Sequence, residues 1–402
     1  MFILTKLQKR HILIAMTALM LLTASSTDIY VPSLPQMVKD FDTIPAIVNL
    51  TLSSYNLGIA FGVLFAGELS NRYGRRNTIL YGVACFTVAS FLIAVMPSIH
   101  AIILLRLIQS LGTAVVVIVP RLILKDSMDA REQIRGNGIL LMGLMISPAL
   151  APVLGAYIAE YFGWRSCFTF SGVFGVLLWI YCWKTTPETN LTPLTNFAGL
   201  GNYLQTYFNI LRNTNFLALT AVYAGGVGAY YAFLGISSYL YIDHWNFSPT
   251  AYSYLFIGLS LAYFSGNILM QRLNRIKLHT VKIIGFGVYS TAIGALIVVI
   301  SAFLPWKILV IVLVTLGVLF MRAANAIINP TTQVKLMLIF NEQSAAALGL
   351  NMCISFTTGA LAIWMVTLHP ERPFLGLVII SALFVMLCLV VYVLNAKRLQ
   401  QA

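Results

Sequence analysis

The chain has 402 residues, of which 59% are hydrophobic and only 9% charged, and its formal net charge is +13. Soluble domains carry roughly 25% charged residues, so this composition excludes a protein whose surface is clothed by water. The basic excess is concentrated in the loops on one side of the apolar segments, a membrane-topology bias that argues against a nucleic-acid role.

Apolar runs of about 20 residues, each long enough to cross a hydrocarbon core of about 30 Å, recur along the whole length. Twelve spans are predicted, at roughly 11–32, 46–69, 77–97, 100–124, 136–160, 166–184, 215–241, 248–270, 280–304, 306–329, 344–368 and 374–396. A membrane barrel would need alternating segments of about 10 residues, and none is present. The fold class is therefore an all-α polytopic membrane protein with twelve transmembrane helices in two six-helix bundles.

The first span is too long for a signal-peptide core and lacks a small-x-small cleavage site, so it reads as a helix. It closes on SSTDIYVPSLP, Ser25 to Pro35, which carries Asp28 inside the apolar segment. The basic loop NRYGRRN (71–77) joins spans two and three. The fourth span contains Arg106 in IILLRLIQSLG, and KDSMDAREQIR (125–135) follows it. The fifth carries Pro148, Pro152 and Gly155. A polar interval with TTPETNLTPLTN then divides the chain into an N-terminal bundle (1–183), a cytoplasmic linker (184–214) and a C-terminal bundle (215–402). Within the linker, Tyr203–Asn213 suits a short interfacial helix.

In the second half, Tyr239, Tyr241 and Trp245 flank the outer end of span seven and read as interfacial anchors. RLNRIKLHTVK (272–282) occupies the place that NRYGRRN has in the first half, a degenerate internal repeat. The five cysteines all fall in spans, with no disulfide framework and no metal spacing. No GxxxxGK[ST], HExxH or GxSxG motif occurs, so neither nucleotide-driven work nor an enzyme is expected, and no cofactor is called for. With a cytoplasmic N-terminus, Lys39, Arg165, Lys307 and Arg372 fall outside, Arg106 within a span, and the remaining basic residues on the cytoplasmic side, as positive-inside topology requires. That reading puts both termini on the cytoplasmic side of the membrane.

Of the twelve acidic residues, Asp28 alone lies well inside a span, and Arg106 is its basic counterpart. Counted from the outer boundary both lie on the order of 6–10 Å deep, so they are placed to meet. A mid-membrane carboxylate costs roughly 2.5–3.5 kcal/mol, which asks for a reason. Two roles fit: a structural ion pair, or a carboxyl that takes up and releases a proton. Burial and a nearby guanidinium pull a carboxyl's pKa in opposite directions, so a change of conformation can move it through the working range. Tyr30, Tyr55, Asn56, Gln109, Tyr223, Tyr230 and Asn325 are candidates to line a central cavity and bind substrate, with Tyr231, Asn267 and Asn351 beside them. Helix-to-helix hydrogen bonding is the alternative for each.

Five stretches of the first half together resemble one family. GELSNRYGRR (67–76) is similar to the signature loop of the major facilitator superfamily. RLIQSLG (106–112) resembles its fourth-span motif, and PALAPVLGAY (148–157) the proline–glycine motif of its antiporters. STDIYVPSLP and PRLILKD (120–126) resemble the drug:proton antiporters of the bicyclomycin and chloramphenicol resistance (Bcr/CflA) branch. The resemblance implies proton coupling at Asp28 and Arg106. It also implies gating by Gly67, Asn71, Arg72, Gly74, Arg75 and Arg76, with Pro148, Pro152 and Gly155 loosening span five. Asn71 stands where the family usually has an aspartate, which removes the charge from any latch at that position.

The function implied is proton-coupled efflux of a small organic molecule by alternating access, that is, a drug or metabolite antiporter. The alternatives are a proton-linked importer of a small metabolite or siderophore in the same fold, and a non-transporting membrane sensor. The expected partners are protons, the lipid bilayer and a neutral or anionic small molecule, with no nucleic acid, and the working unit is a monomer.

Overall fold

A computed structural model describes residues 5–190, 200–368 and 372–401. Among the described residues the chain is entirely helical, without a strand. The first half contains α1 (Lys6–Asp28), α2 (Leu34–Asp40), α3 (Pro45–Tyr73), α4 (Arg75–Val95), α5 (Ile99–Ser127), α6 (Ala130–Phe162) and α7 (Arg165–Thr185). The second contains α8 (Leu200–Leu211), α9 (Thr214–Ser238), α10 (Pro249–Ser253), α11 (Leu255–Arg275), α12 (Thr280–Ser301), α13 (Lys307–Ile339), α14 (Ser344–Val366) and α15 (Pro373–Gln401). Twelve segments are long and apolar enough to cross a membrane, the first taking in α1 and α2 and the eighth α10 and α11. The protein is a polytopic, all-α membrane protein with two helical bundles.

Local chemistry sets several boundaries. A capping box formed by Thr5 and Gln8 starts α1, and one formed by Asp129 and Glu132 starts α6, each satisfying N–H groups that the first turn leaves open. Lys9 Nζ meets Glu132 Oε2 at 2.5 Å and ties those two starts together. At its far end α1 stops at Asp28, because Pro32 and Pro35 have no N–H to donate. The chain passes through one 3-10 turn, Val31–Ser33, before α2 resumes. Of the linker, 191–199 lies outside the described residues, and α8 covers most of the predicted interfacial helix.

The chain forms two compact units. The first comprises Met1–Thr43, Ser54–Ala198 and Ser248–Phe256. Its core gathers Met16, Leu19, Phe86, Val116 and Ile123 from α1, α4 and α5. The Tyr157 and Tyr254 hydroxyls stand 2.7 Å apart within it. The second unit comprises Ile44–Ser53, Gly199–Phe247 and Ile257–Ala402, with a core around Phe216, Leu219, Ile284 and Cys388. There the first turns of α3 are fastened to α9 and α14. Asn49 Nδ2 donates to the Gly235 carbonyl (2.5 Å), Tyr239 Oη to Asn49 Oδ1 (3.2 Å), and Ser53 Oγ to the Ala360 carbonyl (2.9 Å).

Both units repeat one packing pattern. In the first, the first span packs on the fifth and sixth, and the third on the fourth and sixth: α1 on α6 and α7, α4 on α5 and α7. In the second, α9 packs on α14 and α15, and α12 on α13 and α15. The weak repeat legible in the loops is thus a structural repeat that takes in five of the six spans of each unit.

Three expectations change. α13 continues well past the predicted end at 329, because Pro330 is accommodated inside the helix. Arg322, assigned from sequence to the cytoplasmic side, consequently lies near the middle of a 33-residue membrane helix. Tyr239, Tyr241 and Trp245 are buried and do not form an interfacial belt. The Tyr241 and Trp245 rings pack 4.7 Å apart and the Tyr241 hydroxyl meets Thr315 Oγ1 at 2.7 Å.

Candidate functional site

In the first unit the site is organised around Arg106, which is 0% exposed. Its Nη1 donates to Gln109 Oε1 (2.6 Å), to Ser26 Oγ (3.0 Å) and to the Ser26 carbonyl (3.3 Å). Gln109 passes the interaction on, its Nε2 donating to Ser90 Oγ at 2.6 Å. Aromatic faces cover the guanidinium: Tyr55 at 4.0 Å, Tyr30 at 4.8 Å and Phe168 at 5.7 Å from Cζ. Cation–π contact of this kind strengthens as the site is desolvated. Tyr55 Oη is 2.7 Å from Thr113 Oγ1 and donates to the Thr23 carbonyl.

Asp28 is the last residue of α1 and is half-buried. Arg106 binds the residue two before it, Ser26, and stacks on the residue two after it, Tyr30. The turn that carries the acid is thus wrapped around the base predicted to meet it. Of the expected residues, the structure brings Tyr30, Tyr55, Gln109 and Arg106 into one cluster with this turn. Asn56 is buried separately, and its Nδ2 has no acceptor among the described residues. Sequence reasoning missed Ser26, Ser90 and Thr113, because serines and threonines are common in membrane helices and usually bond their own backbone.

The fifth-span motif supports the same turn. Gly155 approaches α1 so closely that a Cβ there would come 1.6 Å from the Ile29 carbonyl oxygen. Pro148 and Pro152 lie within α6 without ending it.

The loop between α3 and α4 is built around Arg75. Its Nε meets Asp126 Oδ2 at 2.9 Å, and its Nη1 donates to Ser70 Oγ and to Asn71 Oδ1, both at 2.6 Å. Gly74 has φ +88°, the left-handed region that favours glycine, and starts α4. The Glu188 carboxylate lies against it and accepts the N–H groups of Arg75 (2.8 Å) and Arg76 (3.2 Å). A carboxylate thereby caps the positive end of α4. Arg76 donates to the Trp183 carbonyl in the last turn of α7 (2.7 Å), and Arg72 lies over the Tyr73 ring. Asn71, in place of the usual aspartate, serves as a neutral acceptor for Arg75. Gly67 is not a close approach: a Cβ there would meet only Ile118, at 3.9 Å. Glu188 was not singled out from sequence, since a lone acid in a polar linker gives no signal.

In the second unit Arg322 occupies the fourth span, as Arg106 does in the first. Its Cζ lies 4.2 Å from the Tyr230 ring centre and 4.7 Å from that of Tyr263. Tyr230 and Tyr231 meet edge to face at 5.8 Å. Tyr223 packs against the core of this unit, close to Arg322 and Tyr263. Asn325, one turn beyond Arg322, donates to the Gly226 carbonyl at 3.1 Å. Asn351 is fully buried, whereas Asn267 accepts from Gln271 on an exposed stretch. No cluster of metal-ligating side chains occurs among the described residues.

Twelve spans in two repeated bundles, each with an arginine in its fourth span, define a polytopic membrane protein. The chain belongs to the major facilitator superfamily, whose model matches residues 16–363. It is 30% identical to an uncharacterized transporter of Rickettsia bellii (strain RML369-C), over 68% of each chain. It is 31% identical to a chloramphenicol resistance protein of Pseudomonas aeruginosa, over 60% of this chain and 57% of that one. Among solved structures, the D-xylose-proton symporter superposes with a TM-score of 0.73 at 15% identity, covering 94% of this chain and 96% of the other. The protein is thus a multi-pass bacterial membrane transporter of small molecules, related to the antibiotic-resistance members of its superfamily.

Proposed function

We propose that this transporter couples proton movement to the passage of a small organic molecule by alternating access, with Asp28 as the proton carrier and Arg106 as the fixed charge that tunes it. The observation that carries the reading is the bracketing of Asp28 by Ser26 and Tyr30, both held by a fully buried guanidinium. Any rearrangement of that turn alters the surroundings of the carboxyl, and a group whose charge responds to conformation can link two equilibria.

Two directions of transport are consistent with this device. Proton-linked import has the more direct support from names, because the symporter's name states a proton moving with cargo. A resistance protein's name states a phenotype without a direction. Export, as in the bicyclomycin and chloramphenicol resistance branch, is the second reading, favoured by the chloramphenicol resistance relative and by the motifs around Asp28 and Pro148. In either case the cargo is neutral or anionic, the working unit is a monomer, and both termini are cytoplasmic. Tyr30, Tyr55, Asn56, Gln109, Tyr223, Tyr230 and Asn325 serve substrate binding. The Arg75 loop and the Pro148–Gly155 stretch serve gating.

Purified protein in liposomes under an imposed pH difference tests both points, with chloramphenicol as the first probe. An antiporter accumulates cargo in the acidic compartment and a symporter in the alkaline one, whichever way the molecules insert. Asp28→Asn should abolish accumulation in either case. Uphill accumulation by Asp28→Asn equal to wild type would sink the reading.

A further inference from the structure

Each unit holds its fourth-span arginine between a tyrosine of the first span and one of the second: Arg106 with Tyr30 and Tyr55, Arg322 with Tyr230 and Tyr263. The two copies differ in their surroundings. Arg106 is sealed from solvent, whereas Arg322 is half-buried. One turn from Arg322, Asn325 is 5% exposed, and its Oδ1 meets no donor among the described residues. An acceptor buried in that state is destabilising, and a ligand's N–H or O–H would satisfy it.

We infer that the Arg322 cluster is the recognition site for an organic carboxylate that also carries a neutral donor, an amide N–H or a hydroxyl. This deepens the transport reading and rests on it, naming the cargo chemistry taken at the second unit. The donors of a guanidinium lie in its plane, so rings over its faces direct binding to its edge, where the fork matches a carboxylate bidentately. The tyrosine faces suit an aromatic or flat body on the ligand. Three residues of helix advance about 4.5 Å, so the ligand's carboxylate and donor stand a few bonds apart. A charged ammonium donor is disfavoured, because it would approach the guanidinium. Duplication thus leaves two arginines with different tasks, one holding the acid-bearing turn and one holding cargo.

The probes are N-acetylphenylalanine, its methyl ester and its primary amide, titrated into full-length protein in nanodiscs. Wild type should bind the acid at least ~10-fold more tightly than the ester or amide. Arg322→Gln should erase the preference and Arg322→Lys should retain only part of it, having charge without a fork. Asn325→Leu should weaken all three probes without changing their ratio. Ligand-free unfolding temperatures identify the variants that fold, and the Lys and Leu variants carry the test if Arg322→Gln does not. Equal affinity of wild type for acid and ester (including no binding of either), or a full preference in Arg322→Gln, overturns the inference. Proton movement in liposomes separates this from the parent reading. Acid-selective binding without proton movement removes the coupling and keeps the Arg322 site. Proton movement with acid and ester alike keeps the coupling and removes the site.

Discussion

Gly155 of α6 is in backbone contact with Ile29, the residue that follows Asp28, and a Cβ at that position would lie 1.6 Å from the Ile29 carbonyl oxygen. The fifth-span glycine therefore fixes where the acid-bearing turn rests. Inside a helix, glycine to alanine ordinarily stabilises by about 1 kcal/mol. Here the methyl group would have to push the backbone of the turn aside, and overpacking costs about 1–3 kcal/mol. We predict that Gly155→Ala lowers stability and cuts proton-linked transport at least ~10-fold. Gly138→Ala is the control on the same helix, because a Cβ there meets nothing within 4 Å. It should leave both properties unchanged or raise stability. Thermal unfolding in detergent and flux in liposomes check both variants, and a stabilised, active Gly155→Ala would refute the role.

Gln109 joins Arg106 to Ser90 through two bonds of 2.6 Å, all three residues being 0% exposed. Truncation to alanine removes an acceptor from a buried cation, a loss of about 1.5–3 kcal/mol for a hydrogen bond to a charged group. Gln109→Ala should therefore destabilise the first unit by that order, while Ser90→Ala, which deletes the distal neutral bond and the Ser90 hydroxyl's own bond to the Phe86 carbonyl, should cost about 0.5–1.5 kcal/mol. Equal losses for the two would mean that the network does not centre on Arg106.

The span count and the helical class were legible because hydrocarbon enforces long apolar runs, and each of the twelve left one. Asp28 and Arg106 were legible for the complementary reason: a charge inside such a run is costly enough to demand attention. Arg322 escaped because the predicted span ended at 329, just before Pro330, and the arginine near that end was counted with the cytoplasmic basic residues. In a bundle, neighbouring helices can re-satisfy the backbone group that proline frees, so the helix continues. The partners Ser26, Ser90 and Glu188 escaped for another reason. Their residue types are ordinary where they occur, and only the fold brings them to Arg106, Gln109 and Gly74.

Glu188 accepts the N–H groups of Arg75 and Arg76 at the start of α4, satisfying two donors that no intrahelical carbonyl reaches. Removing the carboxylate with Glu188→Ala should destabilise the protein by ~1 kcal/mol, the usual scale for a lost N-terminal cap. Asn71→Asp restores the family's usual residue beside Arg75, which already holds Asp126 at 2.9 Å. A second carboxylate on one guanidinium adds little, so this variant should stay within ~0.5 kcal/mol of wild type. Unfolding midpoints compared across the two substitutions decide which acid organises the loop, and a larger effect of Asn71→Asp would reverse the assignment.

The Glu132 carboxyl at the start of α6 is held below the usual carboxylate range, chiefly by its hydrogen bond from Lys9 and next by the Asp129 N–H. A carboxyl depressed in the folded state contributes stability that is present above its unfolded pKa of about 4.3, and that stability is lost as pH falls through the lower folded value. Between about pH 5.5 and pH 8 this group stays ionised and cannot shape the response of transport. Glu132→Gln should therefore leave the pH midpoint of cargo accumulation where wild type has it, whereas Asp28→Asn should flatten the profile. The measurement is initial uptake by liposomes at matched proton gradients and varied absolute pH. A displaced midpoint in Glu132→Gln would transfer the proton-sensing role from the membrane turn to the Lys9–Glu132 pair.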